Sequence, residues 1–152
     1  MKYSLILLSA LLVVGCGGLT KEQQATAYND AALKYDAVAE EAFSTYETAF
    51  DAATTESEDL IVLQDLFSAY AGADRKFADN LEAIEWTSEY VDTSRRMIDC
   101  INEVYLLEIE VVAATSFQEA DDLADVALEK SRSCDAIGDE IRNLLGLDPV
   151  ED

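Results

Sequence analysis

The near absence of helix breakers constrains this chain most. Its one proline, Pro149, stands at the extreme end, and glycines number only 6 in 152 residues. Little inside the chain therefore forces an α-helix to stop. The apolar residues recur at the 3-4 spacing of a single helical face. Four such segments follow one another. The first runs from about Lys21 to Ala53, with Tyr28, Ala32, Tyr35, Ala39, Ala42, Tyr46, Ala49 and Ala53 on one stripe, widened by Phe43 and Phe50. Thr55 with Glu58 then forms a capping box, and Leu60, Leu63, Phe67, Tyr70, Phe77, Leu81 and Ile84 carry a second stripe. The periodicity slips at Trp86-Thr87-Ser88. A third stripe holds Val91, Ile98, Ile101, Tyr105, Ile109 and Val112. After a second capping box, Ser116 to Glu119, the fourth carries Ala120, Leu123, Ala127, Cys134, Ile141 and Leu145, and Gly146 ends it. Segments of roughly 27–33 residues, each about 40–50 Å long, joined by short polar turns predict an all-α, up-down antiparallel four-helix bundle. The alternative merges the second and third segments into one helix, because the break at 85–88 lacks both Gly and Pro.

Charge and composition narrow the function. The chain carries 32 Asp and Glu against 10 Lys and Arg, with no His. Half of its residues are apolar, enough for a core, so the formal charge of −22 does not imply disorder. Without His there is no Ser-His-Asp triad, no His-ligated zinc, no haem His and no Glu-x-x-His di-iron site. So acidic a surface also lacks the basic footprint that nucleic acid requires.

The first residues read as a targeting signal. Lys2 gives a short positive region, and Leu5 to Val14 form an apolar run interrupted only by Ser9 and Ala10. That run is too short to span a hydrocarbon core of about 30 Å. It closes on Val13-Val14-Gly15-Cys16, which resembles the lipobox of bacterial lipoproteins. The resemblance implies cleavage of a signal peptide, residues 1–15, after Gly15, with Cys16 diacylglycerylated as the new N-terminus. Several acyl chains anchor stably where one chain alone is marginal. The expected location is the bacterial cell envelope, membrane-anchored and extracytoplasmic. Gly17, rather than Asp, after the Cys resembles lipoproteins sent to the outer membrane of Gram-negative envelopes. Residues 16–20 are then a tether, 21–147 the bundle and 148–152 a tail. Loss of Lys2 with the leader leaves 9 basic against 32 acidic side chains, a formal −23.

Cys100 and Cys134 remain after lipidation. An exported chain with two thiols usually bridges them. Both are equidistant from residue 117, so antiparallel helices leaving that turn bring them to one height, within the Cα separation a disulfide needs. Closing that loop contributes about 3.5–4 kcal/mol on the chain-entropy model. Two buried thiols, or a redox pair lacking a C-x-x-C spacing, are the other readings.

Glu40-Glu41, Glu56/Glu58/Asp59, Asp121-Asp122/Asp125 and Asp135/Asp139/Glu140 could each hold a hard cation weakly, but none has an EF-hand register, and a solvated acidic face accounts for them. Neither a cofactor nor a metal site is expected, and Met97 alone cannot line a copper site. Arg95-Arg96, an adjacent arginine pair, could recognise a carboxylate or phosphate; its ordinary role is ion pairing, here Arg95 to Asp99. The tyrosines on the stripes fit either a core or a pocket between helices. Trp86 fits the plug of a bundle end, and Asn29 and Asn102 fit polar residues fixing helix register. Tyr28-Asn29, Trp86 and the closing Leu144-Leu145-Gly146-Leu147-Asp148-Pro149 loosely resemble small helical envelope lipoproteins, which implies the bundle and no catalytic residues. The reading is a lipid-anchored, non-enzymatic structural or interaction protein, held by its anchor at the membrane and suited to a basic envelope protein. The alternative is a small-ligand or cation-binding bundle, using its interior or Arg95 and Arg96.

Overall fold

A computed structural model describes residues 18–147. The lipobox with Cys16, and the tail from residue 148 with Pro149, lie outside the described residues. Four helices follow in order: α1 Lys21–Ala52, α2 Glu56–Glu82, α3 Val91–Ala113 and α4 Phe117–Leu145. They form an antiparallel up-down four-helix bundle. The eight residues 83–90 separate α2 from α3, so the two are distinct helices. Packing runs along the chain: α1 on α2, α2 on α3 and α3 on α4, with α1 and α4 touching little. The circuit is therefore open along one seam.

The helix ends follow the local chemistry with one shift. Thr55 and Ser116 accept from the Glu58 and Glu119 backbone N–H groups at 3.2 and 3.3 Å, as expected of N-caps. Their glutamates do not close the box on the cap residue. Glu58 instead accepts from the N–H and hydroxyl of Thr54, and Glu119 from those of Thr115. A preceding threonine offers two donors where the cap residue offers one, which draws the carboxylate one residue back. The full reciprocal box forms at Thr20 and Gln23, at the start of α1. Gly146 ends α4 at φ 74°, a left-handed conformation that favours glycine.

Residues 18–20, the α2–α3 connection and the end of α4 share one end of the bundle. There Gln24, fully buried, donates to the Leu19 carbonyl at 2.7 Å. Trp86 lies against the core and donates to the Leu81 carbonyl at 2.8 Å, as a plug would. At the far end, Gln64 donates to the carbonyls of Val112 and Ala114, both at 2.9 Å, and locks α2 to the end of α3.

The core is divided. Near the tether, Tyr28, Phe77, Leu81, Tyr90, Met97, Ile101 and Ile141 pack around a Cys100–Cys134 disulfide with Cα atoms 5.8 Å apart. At the far end Leu63, Leu66, Phe67, Val111, Ala120, Ala124 and Ala127 form a second cluster. All four helices build the first. Along α1, however, only Gln24, Ala25, Tyr28 and Ala31 are buried, so the far cluster rests on three helices.

The apolar stripe expected on α3 is rotated by about one residue. Ile109 is exposed and Val91, Ile98, Tyr105 and Val112 are only half-buried, while Met97, Cys100, Ile101, Val104, Glu108 and Val111 face inward. The helix is apolar on more than one side, so α2 and α4 decide which face is buried.

Candidate functional site

The open seam between α1 and α4 forms a cleft of about 440 Å³. Tyr28, Ala32, Tyr35 and Asp36 line it from α1, Phe77 from α2, Met97 from α3, and Asp135, Gly138, Asp139 and Arg142 from α4. A smaller chamber of about 60 Å³ adjoins the cleft and shares Tyr35, Phe77, Met97 and Asp135 with it. Asp74, Ile101, Val104, Ser131 and Cys134 complete its lining. The walls are aromatic. Phe77 has its ring centroid 5.4 Å from Tyr35 and 6.4 Å from Tyr28. Gly138 keeps α4 from filling the space: a Cβ there would sit 3.6 Å from both Met97 Cε and the Tyr28 hydroxyl, in ordinary contact. A side chain longer than a methyl would enter the cleft.

Asp74 of α2 and Glu108 of α3 meet behind this chamber, 4 and 3 % exposed. They lie where the apolar clusters divide. Burial raises both acids: Asp74 to about 6, against the pull of hydrogen bonds from Glu108 and Tyr35, and Glu108 to about 9, reinforced by the neighbouring Asp74 charge. Two carboxyls so placed cannot both ionise cheaply. A proton on Glu108, donated to Asp74, relieves that repulsion. Tyr35 also donates to Asp74, and its phenol is strongly raised, first by burial and then by the charges of Asp74 and Glu108. Glu108 Oε2 is buried and has no hydrogen-bond partner. Nearer the mouth, desolvation and Glu40 raise Asp36, while Arg142 opposes them. The arrangement places negative charge beside two adjoining cavities with aromatic lining.

The sequence-predicted residues lie elsewhere. Arg95 pairs with Asp92 at 3.5 Å rather than with Asp99. Asp92 is in the first turn of the helix and one turn back, where Arg95 reaches it directly. Arg96 crosses to Glu140 of α4 at 3.0 Å, and Thr93 donates to the same carboxylate. The adjacent arginines thus serve different contacts, and neither lines the cleft. Among the described residues, no three His, Cys, Asp or Glu side chains gather as a metal site would require. No described helix is long and apolar enough to cross a membrane.

Asp74 and Glu108 were hidden by the abundance of acids, yet a signal existed. The α2 stripe steps from Tyr70 to Phe77, and Asp74 fills the missing 4-3 position. Glu108 likewise falls between Val104 and Val111 at 4-3 spacing. A carboxylate in the gap of an apolar stripe is a buried-acid signature.

No protein-family model, curated protein or solved structure matches the chain. Fold and geometry define its class by themselves: an acidic four-helix bundle with one open seam and a buried acid pair beside it.

Proposed function

We propose that this chain is a lipid-anchored, extracytoplasmic, non-enzymatic interaction module that presents the far end of its bundle to a basic envelope protein. Acyl chains on Cys16 would hold the tether end at the bilayer and direct the far end away from it. The observation that carries this reading is an aromatic ladder on the half of α1 that buries no residue. Phe43, Tyr46 and Phe50 stack with centroids 6.2 and 5.3 Å apart, and Phe43 and Phe50 remain 48 and 38 % exposed. Tyr46 also borders an apolar groove of about 220 Å³ between α1 and α2, with Ala42, Ala49, Val62 and Leu66. The charges of Asp121 and Asp59 act on its phenol, which burial raises. Glu40, Glu47 and Asp51 lie within one turn of the ladder. Apolar rings framed by carboxylates suit an amphipathic segment with a basic rim. A second copy, at a formal −23, would be repelled.

Photo-crosslinking in native membranes tests this, with p-benzoylphenylalanine replacing Phe43 in the full-length protein. The expected result is a specific adduct to a protein with a basic surface. It should weaken at high salt and vanish in Phe50→Ala. Equal adducts from position 33, where Leu33 is 59 % exposed elsewhere on α1, would sink the proposal. So would insensitivity to salt. Cys16→Ser should release the protein from the membrane; retention would overturn the anchor.

A further inference from the structure

We infer that the cleft between α1 and α4 is a binding site for a small organic amine, its ammonium head directed toward Asp74 and its apolar body held among Tyr28, Tyr35, Phe77 and Met97.

The first support is shape. The outer cleft of about 440 Å³ is the size of a small-molecule site. The adjoining chamber of about 60 Å³ holds roughly two water volumes, enough for an ammonium and an adjoining methylene. Acidic side chains line both spaces: Asp36, Asp135 and Asp139 the cleft, Asp74 and Asp135 the chamber.

The second is chemistry. An ammonium brings three donors, and the chamber ends on acceptors: the Asp74 carboxylate, with the Tyr35 hydroxyl beside it. Tyr28, Tyr35 and Phe77 line the cleft, and aromatic rings attract a cation that approaches their faces. Asp36, Asp135 and Asp139 add negative charge at the mouth. Arg142 stands there too, acting on Asp36 and Tyr28, and is the one basic residue among the lining groups.

The third is independent of the cleft's outline. Glu108 Oε2 is a buried carboxyl oxygen without a partner, immediately behind Asp74. Apolar residues would fill that layer at lower cost, since a buried, incompletely satisfied carboxyl costs stability. The pair instead gives the chamber a fixed negative end. A bound ammonium would offset negative charge held by this pair.

The test is calorimetric titration of full-length protein in nanodiscs with n-hexylammonium and phenethylammonium, and with hexanoate as the anionic control. One amine per chain is expected, with hexanoate silent. Asp74→Asn should weaken amine binding at least tenfold. Gly138→Leu provides a second variant that leaves every carboxylate in place and fills the cleft; it should abolish binding while helicity is retained. Phe43→Ala should leave amine affinity unchanged, because the ladder is a separate surface, so failure of either proposal is read apart from the other. The inference is overturned if neither amine binds, if hexanoate binds as well, or if Gly138→Leu binds like the natural chain.

Discussion

The two ends of the bundle use α1 differently. Near the tether, α1 inserts Tyr28 and Ala31 into a core shared by four helices, beside the Cys100–Cys134 bridge. Beyond Ala31 the same helix continues for six turns without burying another residue. The far cluster of Leu63, Phe67, Val111 and Ala124 closes on three helices, with α1 laid against its edge through Ala42 and Tyr46. Side-chain size explains much of this. The α1 stripe beyond Tyr35 is mostly alanine, and each alanine offers little area to bury. The difference shows that an unbroken amphipathic stripe guarantees a helix without guaranteeing that its whole length is core.

The largest expected effect compares two tyrosines on that one helix. Tyr28 is 3 % exposed, and Tyr28→Ala should cost about 3–5 kcal/mol in urea unfolding. Tyr46 is half-buried at the edge of the far cluster, so Tyr46→Ala should cost about 1–2 kcal/mol. Equal losses would mean that α1 is held as firmly at the far end as at the tether end.

Between the two clusters lies the acid pair, and pH reads it. Glu108 and Asp74 are raised in the folded protein, so below the ordinary carboxylate range both states are protonated and the pair costs nothing further. As pH rises, the unfolded chain releases protons that the folded one retains, and stability falls until about pH 9. Tyr35, Tyr70 and, from α4, Asp135 surround the pair, and none of them brings a positive charge that would reverse the sign. Glu58, Glu119 and Glu140 are lowered by their hydrogen bonds and titrate below this window. Urea unfolding should therefore show a loss on the order of 2 kcal/mol between pH 5 and pH 9, and Glu108→Gln should flatten it. A natural chain with constant stability across that range would remove the buried proton.

Much of the fold was legible because it rests on local chemistry. Thr55, Ser116 and Gly146 mark helix ends by their own hydrogen bonding and backbone freedom. Cys100 and Cys134 are matched by counting from a turn. The register of α3 was not legible, because Val104, Leu106, Ile109 and Val112 leave it apolar on several sides and its neighbours choose the buried face. The cleft was legible only in part. Tyr28 and Tyr35 stood out as stripe tyrosines suited to a pocket, but the cleft they line depends on α1 and α4 touching little. Asp74 and Glu108 looked like two more surface acids among 32, although Asp74 fills a vacant position of the α2 stripe, while Glu108 does so only in the α3 register that the packing selects.

The smallest stability effect is the sharpest test of what the far end is for. Phe43 and Phe50 are the largest apolar groups on the unburied half of α1, and they stack on Tyr46 rather than insert into the far cluster. If the ladder served folding, Phe43→Ala and Phe50→Ala would each resemble a core truncation of several kcal/mol. If it is a surface held ready for a partner, each should change urea stability by about 0.5 kcal/mol or less. Rings left this exposed in water also favour non-specific association, so the double variant should be at least as soluble as the natural chain. A large loss of stability would return the ladder to the core and make the bundle's two ends alike; a negligible one, together with the lost crosslink, would make the far end of α1 a binding face built on a helix anchored elsewhere.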